Sequence, residues 1–476
     1  MTTTKPRVIT VGPMPPEKSA YALARYSRSP DSIHDSIAWV RTHDSQKFLE
    51  SFYFQYGHAS IADLGHLAVC FEGVSEIAAV EIEDEQLWDG QARSSRYQDF
   101  ARSGAVLPPE LEGAQAEAYQ AATGALLAAY AAIHSRMTEF LSQRLPRPEE
   151  MKPDAYKRNI AARAFDVARY LLPFGVPTGV GQVTSIRTLE RQIRRLKASE
   201  YGELRSLAEE TAAACAAAPC CAWDSGASEA VAPTLARHVS ADEHAAQSRR
   251  DLLQWAAQNL PAAPAIAQDD IDLLRPANAA ADIVATLLYP VTDRPYRQLY
   301  QLACDWTDAR RKEIVETALR SRTKHDELPR AFRTAPYVFD MVIDIGAYRD
   351  LHRHRRCQQF RQSFGTALGY ATPHAVIEAG LRDEYEAAMC RAFDTARSLP
   401  RPGADYVLPF ATRSRFLFKM DFAEAEYIAR LRSGVKGHFS YREIAWRMKE
   451  KMAELEPEVA GVMSATPPWV EDPLRR

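Results

Sequence analysis

Arg353-His354-Arg355-Arg356-Cys357-Gln358-Gln359-Phe360-Arg361-Gln362-Ser363 is the stretch that decides how the remainder of this chain is read. With Arg349 and His352 just before it, five guanidinium groups and two imidazoles fall within thirteen residues. Guanidiniums stay charged at any physiological pH, so a run this dense calls for an anion beside it. Taken alone, the run fits a solvated helix face or an RNA-binding patch equally well, and the flanking sequence has to choose. His352 and His354 are spaced by two and do not share a helix face, so no metal site is expected.

At 476 residues, with 46% hydrophobic and 25% charged side chains, the chain has room for two or three domains with full cores. A net charge of -3 and a pI near 6.5 argue against a nucleic-acid binder, because the basic excess is local and the whole molecule repels a phosphate polymer. The anion expected near residue 353 is therefore small. The seven cysteines are scattered and lack Cys-x-x-Cys spacing, so each reads as a small buried hydrophobe in a reducing compartment. No apolar signal core and no run of eighteen apolar residues occur, which predicts a cytoplasmic protein with no membrane span.

Outward from the arginine run, apolar spacing predicts helices over 15–40 and 113–145, the second closed by Pro146. A strand over 67–75 ends at Gly73-Val74-Ser75, with Ser75 as the N-cap of the segment after it. Further helices are expected over 155–172, as one piece over 185–214, and as one piece from Thr372-Pro373 through Ile377, Leu381, Tyr385, Met389 and Phe393. Residues 215–268 lose periodicity and gain Ala, Pro and Ser, with Leu260-Pro261-Ala-Ala-Pro264 as the clearest linker.

After that linker the order of features restarts. The run Pro336–Ile343 takes the place of the apolar run before Gly73, the basic stretch at 353 takes that of the acidic one at 84, and Leu408-Pro409 that of Leu172-Pro173. The expected organisation is an internal duplication with a period of roughly 240–270 residues, suited to two copies of one domain. The repeats are residues 1–214 and 269–476, joined by the Ala/Pro-rich segment 215–268.

Arg353-His354-Arg355 followed by seven residues and Ser363, in a repeat that also carries Gly-Val-Ser and Leu-Pro elements, resembles the flavin-dependent thymidylate synthases. The match is split between the repeats. In the first, Gly57-His58-Ala59-Ser60, Glu72-Gly73-Val74-Ser75 and Ser94-x-Arg96-Tyr97 fit the family, but Asp84-Glu85-Gln86 stands where its Arg-His-Arg would be. In the second, the Arg-His-Arg and Ser363 are present, but Phe364-Gly365-Thr366 follows the serine. Ser185 and Asp421 replace a family asparagine, and Asp350 replaces a glutamine three residues before the motif.

The resemblance implies an α+β fold of two tandem domains, each a central antiparallel sheet flanked by helices, and FAD-dependent methylation of dUMP or a close analogue. Methylenetetrahydrofolate and NADPH would be co-substrates. It assigns Arg353, His354, Arg355 and Arg187 to the flavin and Ser94, Arg96 and Ser363 to the nucleotide. Arg195 and Arg432 are matched to the arginine that stabilises uracil ionised at N3, a role that needs no catalytic cysteine. Family members are homotetramers, so a homodimer of the fused chain would form a pseudo-tetramer with two classes of site: one joining the flavin side of the second repeat to the nucleotide side of the first, the other dead. The rival expectations are a non-catalytic flavin- or nucleotide-binding paralogue and, disfavoured by charge and by few exposed aromatics beyond Phe360 and Phe364, an RNA-binding protein.

Overall fold

Ser75, Ser185, Asp344 and Asp421 each end a strand and begin a helix, their side-chain oxygens accepting from the backbone N–H groups of Ala78, Thr188, Ala347 and Glu424. In a computed structural model of the chain these four caps mark the corners of two equivalent repeats. The structure describes residues 9, 14–27, 29, 32–51, 59–96, 98–220, 228–243, 246–247, 270–274, 278–288, 296–319, 328, 330–332, 337–472 and 474. Gly57, His58, Tyr97, Pro336 and the linker motif around Pro261 lie outside them. Among the described residues no helix is long and apolar enough to cross a membrane.

The first compact unit takes in residues 1–72, 87–92 and 179–261. Its sheet has the order β1-β3-β2, with β1 at His66–Ser75, β2 at Asp89–Ala92 and β3 at Pro177–Ser185. Helices Pro16–Tyr26 and Ile33–Thr42 fill the stretch expected to be helical, and Ala20, Ala24, Leu49 and Ile61 form an apolar cluster. The single helix expected over 185–214 is two, Ile186–Lys197 and Gly202–Cys215, because Ser199 turns the chain by accepting from the N–H of Tyr201. Part of the Ala/Pro-rich segment is packed here: the N–H and hydroxyl of Thr234 both donate to the buried carboxylate of Glu17.

The second unit takes in residues 73–86, 93–178 and 262–476. Its antiparallel sheet has the order β4-β5-β7-β6, with β4 at Ile271–Leu274, β5 at Tyr337–Asp344, β6 at Gln358–Arg361 and β7 at Arg413–Met420. Along β7, Ser414, Phe416, Phe418 and Met420 are buried and their neighbours are not, the alternation of a strand with one core face. Helix Gly113–Arg144 buries Tyr119, Leu126, Leu127, Tyr130, Ile133 and Met137 at helical spacing, as the sequence implies. The helix expected from Thr372 to Phe393 is broken into His374–Glu378 and Arg382–Ser398 by Gly380, whose φ of 68° lies in the left-handed region. Three of the cysteines expected to be buried, Cys70, Cys220 and Cys390, are exposed.

The duplication is visible in the strand register. The pairs Asp89↔Val183, Gly90↔Gln182, Gln91↔Gly181 and Ala92↔Val180 recur as Gln358↔Lys419, Gln359↔Phe418, Phe360↔Leu417 and Arg361↔Phe416. Residues of the first half of the repeat thus return 269 positions on and those of the second half 236 positions on. The hydroxyls of Tyr119 and Tyr385 donate to the equivalent carbonyls of Val106 and Ala371, so the spacing shortens after them: helices Gly113–Arg144 and Pro153–Ala168 stand where the second repeat has the single helix Arg382–Ser398.

Within the second unit, equivalent segments meet each other. Pro173 bridges Pro409, its counterpart. Around them Phe174 N donates to Leu408 O at 2.8 Å and Phe410 N to Leu172 O at 3.0 Å; Gly175 N donates to Tyr406 O at 2.7 Å and Ala411 N to Tyr170 O at 3.0 Å. Each bond has its mate with the two partners exchanged, the signature of a local two-fold axis. Gly175 is needed there, since a Cβ would collide with the hydroxyl of buried Tyr119 and lie 3.1 Å from Tyr406 O. Gly175→Ala is expected to cost about 1–3 kcal/mol by overpacking, read as a lowered midpoint in chemical denaturation.

Candidate functional site

Helix Ile345–Leu351 ends in the turn that carries Arg353-His354-Arg355 into β6. His354 is buried, its Nδ1 3.1 Å from Glu424 Oε1, while Arg432 Nε donates to its Nε2 at 2.8 Å. An arginine Nε–H can only donate, so the ring is neutral, with its proton on Nδ1 and directed at Glu424. Burial holds the imidazole below its usual pKa, and the charges of Arg432 and Arg355 act in the same direction against Glu424. His354 therefore orients Arg432, with both ring nitrogens committed within the chain.

Ser94 and Arg96, from the first repeat, belong to this same unit. Arg96 Nε donates to Asp166 Oδ1 at 2.8 Å, Nη1 to Tyr441 Oη at 2.9 Å and Nη2 to Lys436 O at 3.0 Å. Ser94 Oγ accepts from the backbone N–H of Arg96 at 3.3 Å. Arg96 and Arg432 both lie over the Tyr441 ring, at 5.8 and 5.6 Å from its centre. Nearby, Arg169 Nη2 donates to Asp350 Oδ2 at 3.0 Å and Arg349 Nη1 to Ser95 Oγ at 3.3 Å.

Five arginines, Arg96, Arg169, Arg349, Arg353 and Arg432, thus converge from both repeats. Three have their own carboxylates: Asp166, Asp350 and Glu76. Arg353 and Arg432 have none among the described residues, and Arg353 Nε is buried without a hydrogen bond. Burial alone would raise the Asp350 pKa, but Arg169, Arg349, Arg432 and Arg96 together hold it below the usual carboxylate value. Glu76 is fully buried; Arg349 Nη2 lies 2.6 Å from its Oε2 but off hydrogen-bonding direction, so neither oxygen has a directed bond. Desolvation pushes its pKa up to about 7 against the pull of Arg349.

The positions related by the local axis carry acidic or neutral residues where this half carries arginines. Arg353-His354-Arg355 corresponds to Asp84-Glu85-Gln86, Arg96 to Gly365, Arg169 to Asp405, and the pair Arg349 and Glu76 to Val80 and Ile345. Glu81, the counterpart of Asp350, is ion-paired with Arg361, and Asp405 with Arg401. That half lacks the concentration of guanidiniums found in the other.

The structure does not bring every expected residue to this cluster. Ser363 is exposed after β6. Arg187 and Arg195 belong to the first unit, where Arg187 Nη1 donates to Asp63 Oδ2 at 2.9 Å and Arg195 is half-buried on helix Ile186–Lys197. Counted from the caps Ser185 and Asp421, the residue in register with Arg432 is buried Leu196, and Arg195 is in register with Leu431. Sequence reading missed Glu76, Asp166, Glu424 and Tyr441. Glu76 follows a capping serine and reads as an ordinary first-turn acid, and nothing local announces a partner in the other repeat.

Two copies of one α+β domain in a single chain is the class of protein these observations define. A family model described as thymidylate synthase complementing protein matches residues 10–219 and again 279–458, and the chain belongs to that family. It is also similar to UPF0159 proteins of Chlamydia muridarum, Chlamydia pneumoniae and Thermoplasma acidophilum. Each is 25% identical, over 422, 437 and 492 residues, covering 84%, 87% and 93% of this chain and 77%, 78% and 93% of the relative.

Two outcomes test this electrostatic account. Asp166→Ala, which strands a buried guanidinium, is expected to lower stability by about 3–5 kcal/mol in a denaturant titration. Glu76, raised from 4.5 to about 7, binds its proton more tightly folded than unfolded. The stability it contributes is complete below pH 4.5 and is lost as pH rises through about 7, by up to about 1.4 kcal/mol per pH unit. The difference in melting temperature between the native protein and Glu76→Gln, followed from pH 4.5 to 8, should show that decline.

Proposed function

We propose that this protein carries out FAD-dependent methylation of a pyrimidine nucleotide, dUMP or a close analogue, with methylenetetrahydrofolate and NADPH as co-substrates. The observation that carries the reading is the pair Arg353 and Arg432, which among the described residues have no carboxylate at ion-pair distance, inside a cluster whose other arginines have one each. Two uncompensated forks suit phosphate oxygens and ring carbonyls, so the donor set fits both a flavin and a nucleotide. Bound flavin would pass reducing equivalents from NADPH to the one-carbon unit. Arg353 and Arg355 would hold it, with His354 fixing the orientation of Arg432 through Nε2. Arg432 would face the pyrimidine carbonyl and N3, stabilising negative charge there. Ser94, Arg96 and Ser363 remain the proposed nucleotide contacts, Arg187 a proposed flavin contact, and Arg195 a proposed second pyrimidine-facing arginine. The assembly in this reading is a dimer of the fused chain with a working site from each copy.

A non-catalytic flavin- or nucleotide-binding role is the second reading, favoured by one feature: Arg96, a proposed substrate contact, is already engaged by Asp166, Tyr441 and Lys436. Assay of the FAD-reconstituted protein separates them. Catalysis predicts NADPH oxidation that depends on added nucleotide, a methylated product that depends on the folate, and loss of the flavin spectrum in Arg353→Ala. Flavin binding without nucleotide-dependent turnover supports the second reading, and protein that cannot be loaded with FAD overturns the first. Sedimentation showing a stable monomer would refute the dimer.

A further inference from the structure

Asp350 is an acid in the middle of an arginine cluster, and only half of it is used. Oδ2 accepts from Arg169, whereas Oδ1 has no hydrogen bond among the described residues and the side chain keeps 19% of its surface exposed. The groups facing it are Arg169, Arg349, Arg432 and Arg96, so the carboxylate stays ionised and acceptor-only. A phosphate cannot sit against it, since like charges at contact repel. The phosphate is left to the uncompensated guanidiniums, and whatever touches Oδ1 must offer an N–H.

Uracil is a poor match for that demand. Its one ring N–H is flanked by two carbonyl oxygens, so a carboxylate approaching it also meets an oxygen lone pair. Cytosine offers an exocyclic amine with one N–H pointing toward C5, away from any carbonyl, and a bare N3 that accepts from a guanidinium without first losing a proton. Arg432, whose Nε is held by His354 and whose Nη groups have no protein partner among the described residues, can donate to that N3 and to O2 together.

Resting on the reading given under Proposed function, we propose that Asp350 is a specificity-determining residue that selects a pyrimidine nucleotide bearing an exocyclic amine over its uracil counterpart. The test is calorimetric titration of the full-length, FAD-reconstituted protein with dCMP and, separately, with dUMP. Binding of dCMP should be tighter by about tenfold or more, the scale of one well-placed base contact. In Asp350→Asn, which keeps an acceptor for Arg169 and gains a donor for a uracil carbonyl, the preference should vanish or reverse. Equal or tighter binding of dUMP by the native protein overturns the proposal, with or without a folded variant. So does an unchanged dCMP:dUMP ratio in Asp350→Asn. If neither nucleotide binds the flavin-loaded protein, the reading beneath the proposal falls with it; if dUMP binds best, only the selection by Asp350 falls.

Discussion

The ladder in which residues 170–175 exchange backbone hydrogen bonds with 406–411 is the constraint on which the second unit depends. A pair of equivalent segments joined across a local two-fold axis forces everything attached to them into equivalent positions. Arg169 and Asp405 flank the ladder on the two sides, and the helices capped by Ser75 and Asp344 are likewise equivalent. Phe174 and Phe410, themselves counterparts, meet edge to face at 6.2 Å beside the bridge. A symmetric backbone therefore offers two places for a site, and the side chains decide what each becomes.

They decide differently. On one side the arginines are held by acids that leave two charges over; on the other, Asp84 and Asp405 stand for Arg353 and Arg169, neutral Val80 and Gly365 for Arg349 and Arg96, and Glu81 and Asp405 are paired with Arg361 and Arg401. Burying the guanidiniums of Arg96, Arg169 and Arg349 without compensation would be untenable. Asp166, Asp350 and Glu76 make the cluster tolerable, and among the described residues the surplus charge falls on Arg353 and Arg432. Divergence after duplication has concentrated guanidiniums in one half of a pseudo-symmetric pair, while the strand register in the two halves has stayed the same.

Much of this was legible in the chain. The cap at Ser75, the long helix over 113–145, the restart after residue 268 and the opposed motifs at 84–86 and 353–355 follow from local chemistry, because capping and apolar periodicity act over a few residues. The single helices expected over 185–214 and 372–393 were wrong for a related reason: apolar spacing continues across a break, and only the turn at Ser199 and the left-handed Gly380 reveal that the backbone does not. Matching Arg195 to Arg432 by motif order missed a one-residue difference in helix register, about 100° around a helix.

The sequence by itself determined the family, the duplication and the residue types available for binding an anion, since these reside in composition and spacing. Which arginines are free was decided only by tertiary structure. Arg96 and Arg353 look alike in the chain, yet one is saturated by Asp166, 70 positions away, and by Tyr441, 345 positions away, while the other has a buried Nε with no partner among the described residues. The physical reason is that net charge at a site is a sum over neighbours in space, and pairing across two repeats leaves no trace in the order of residues along either one.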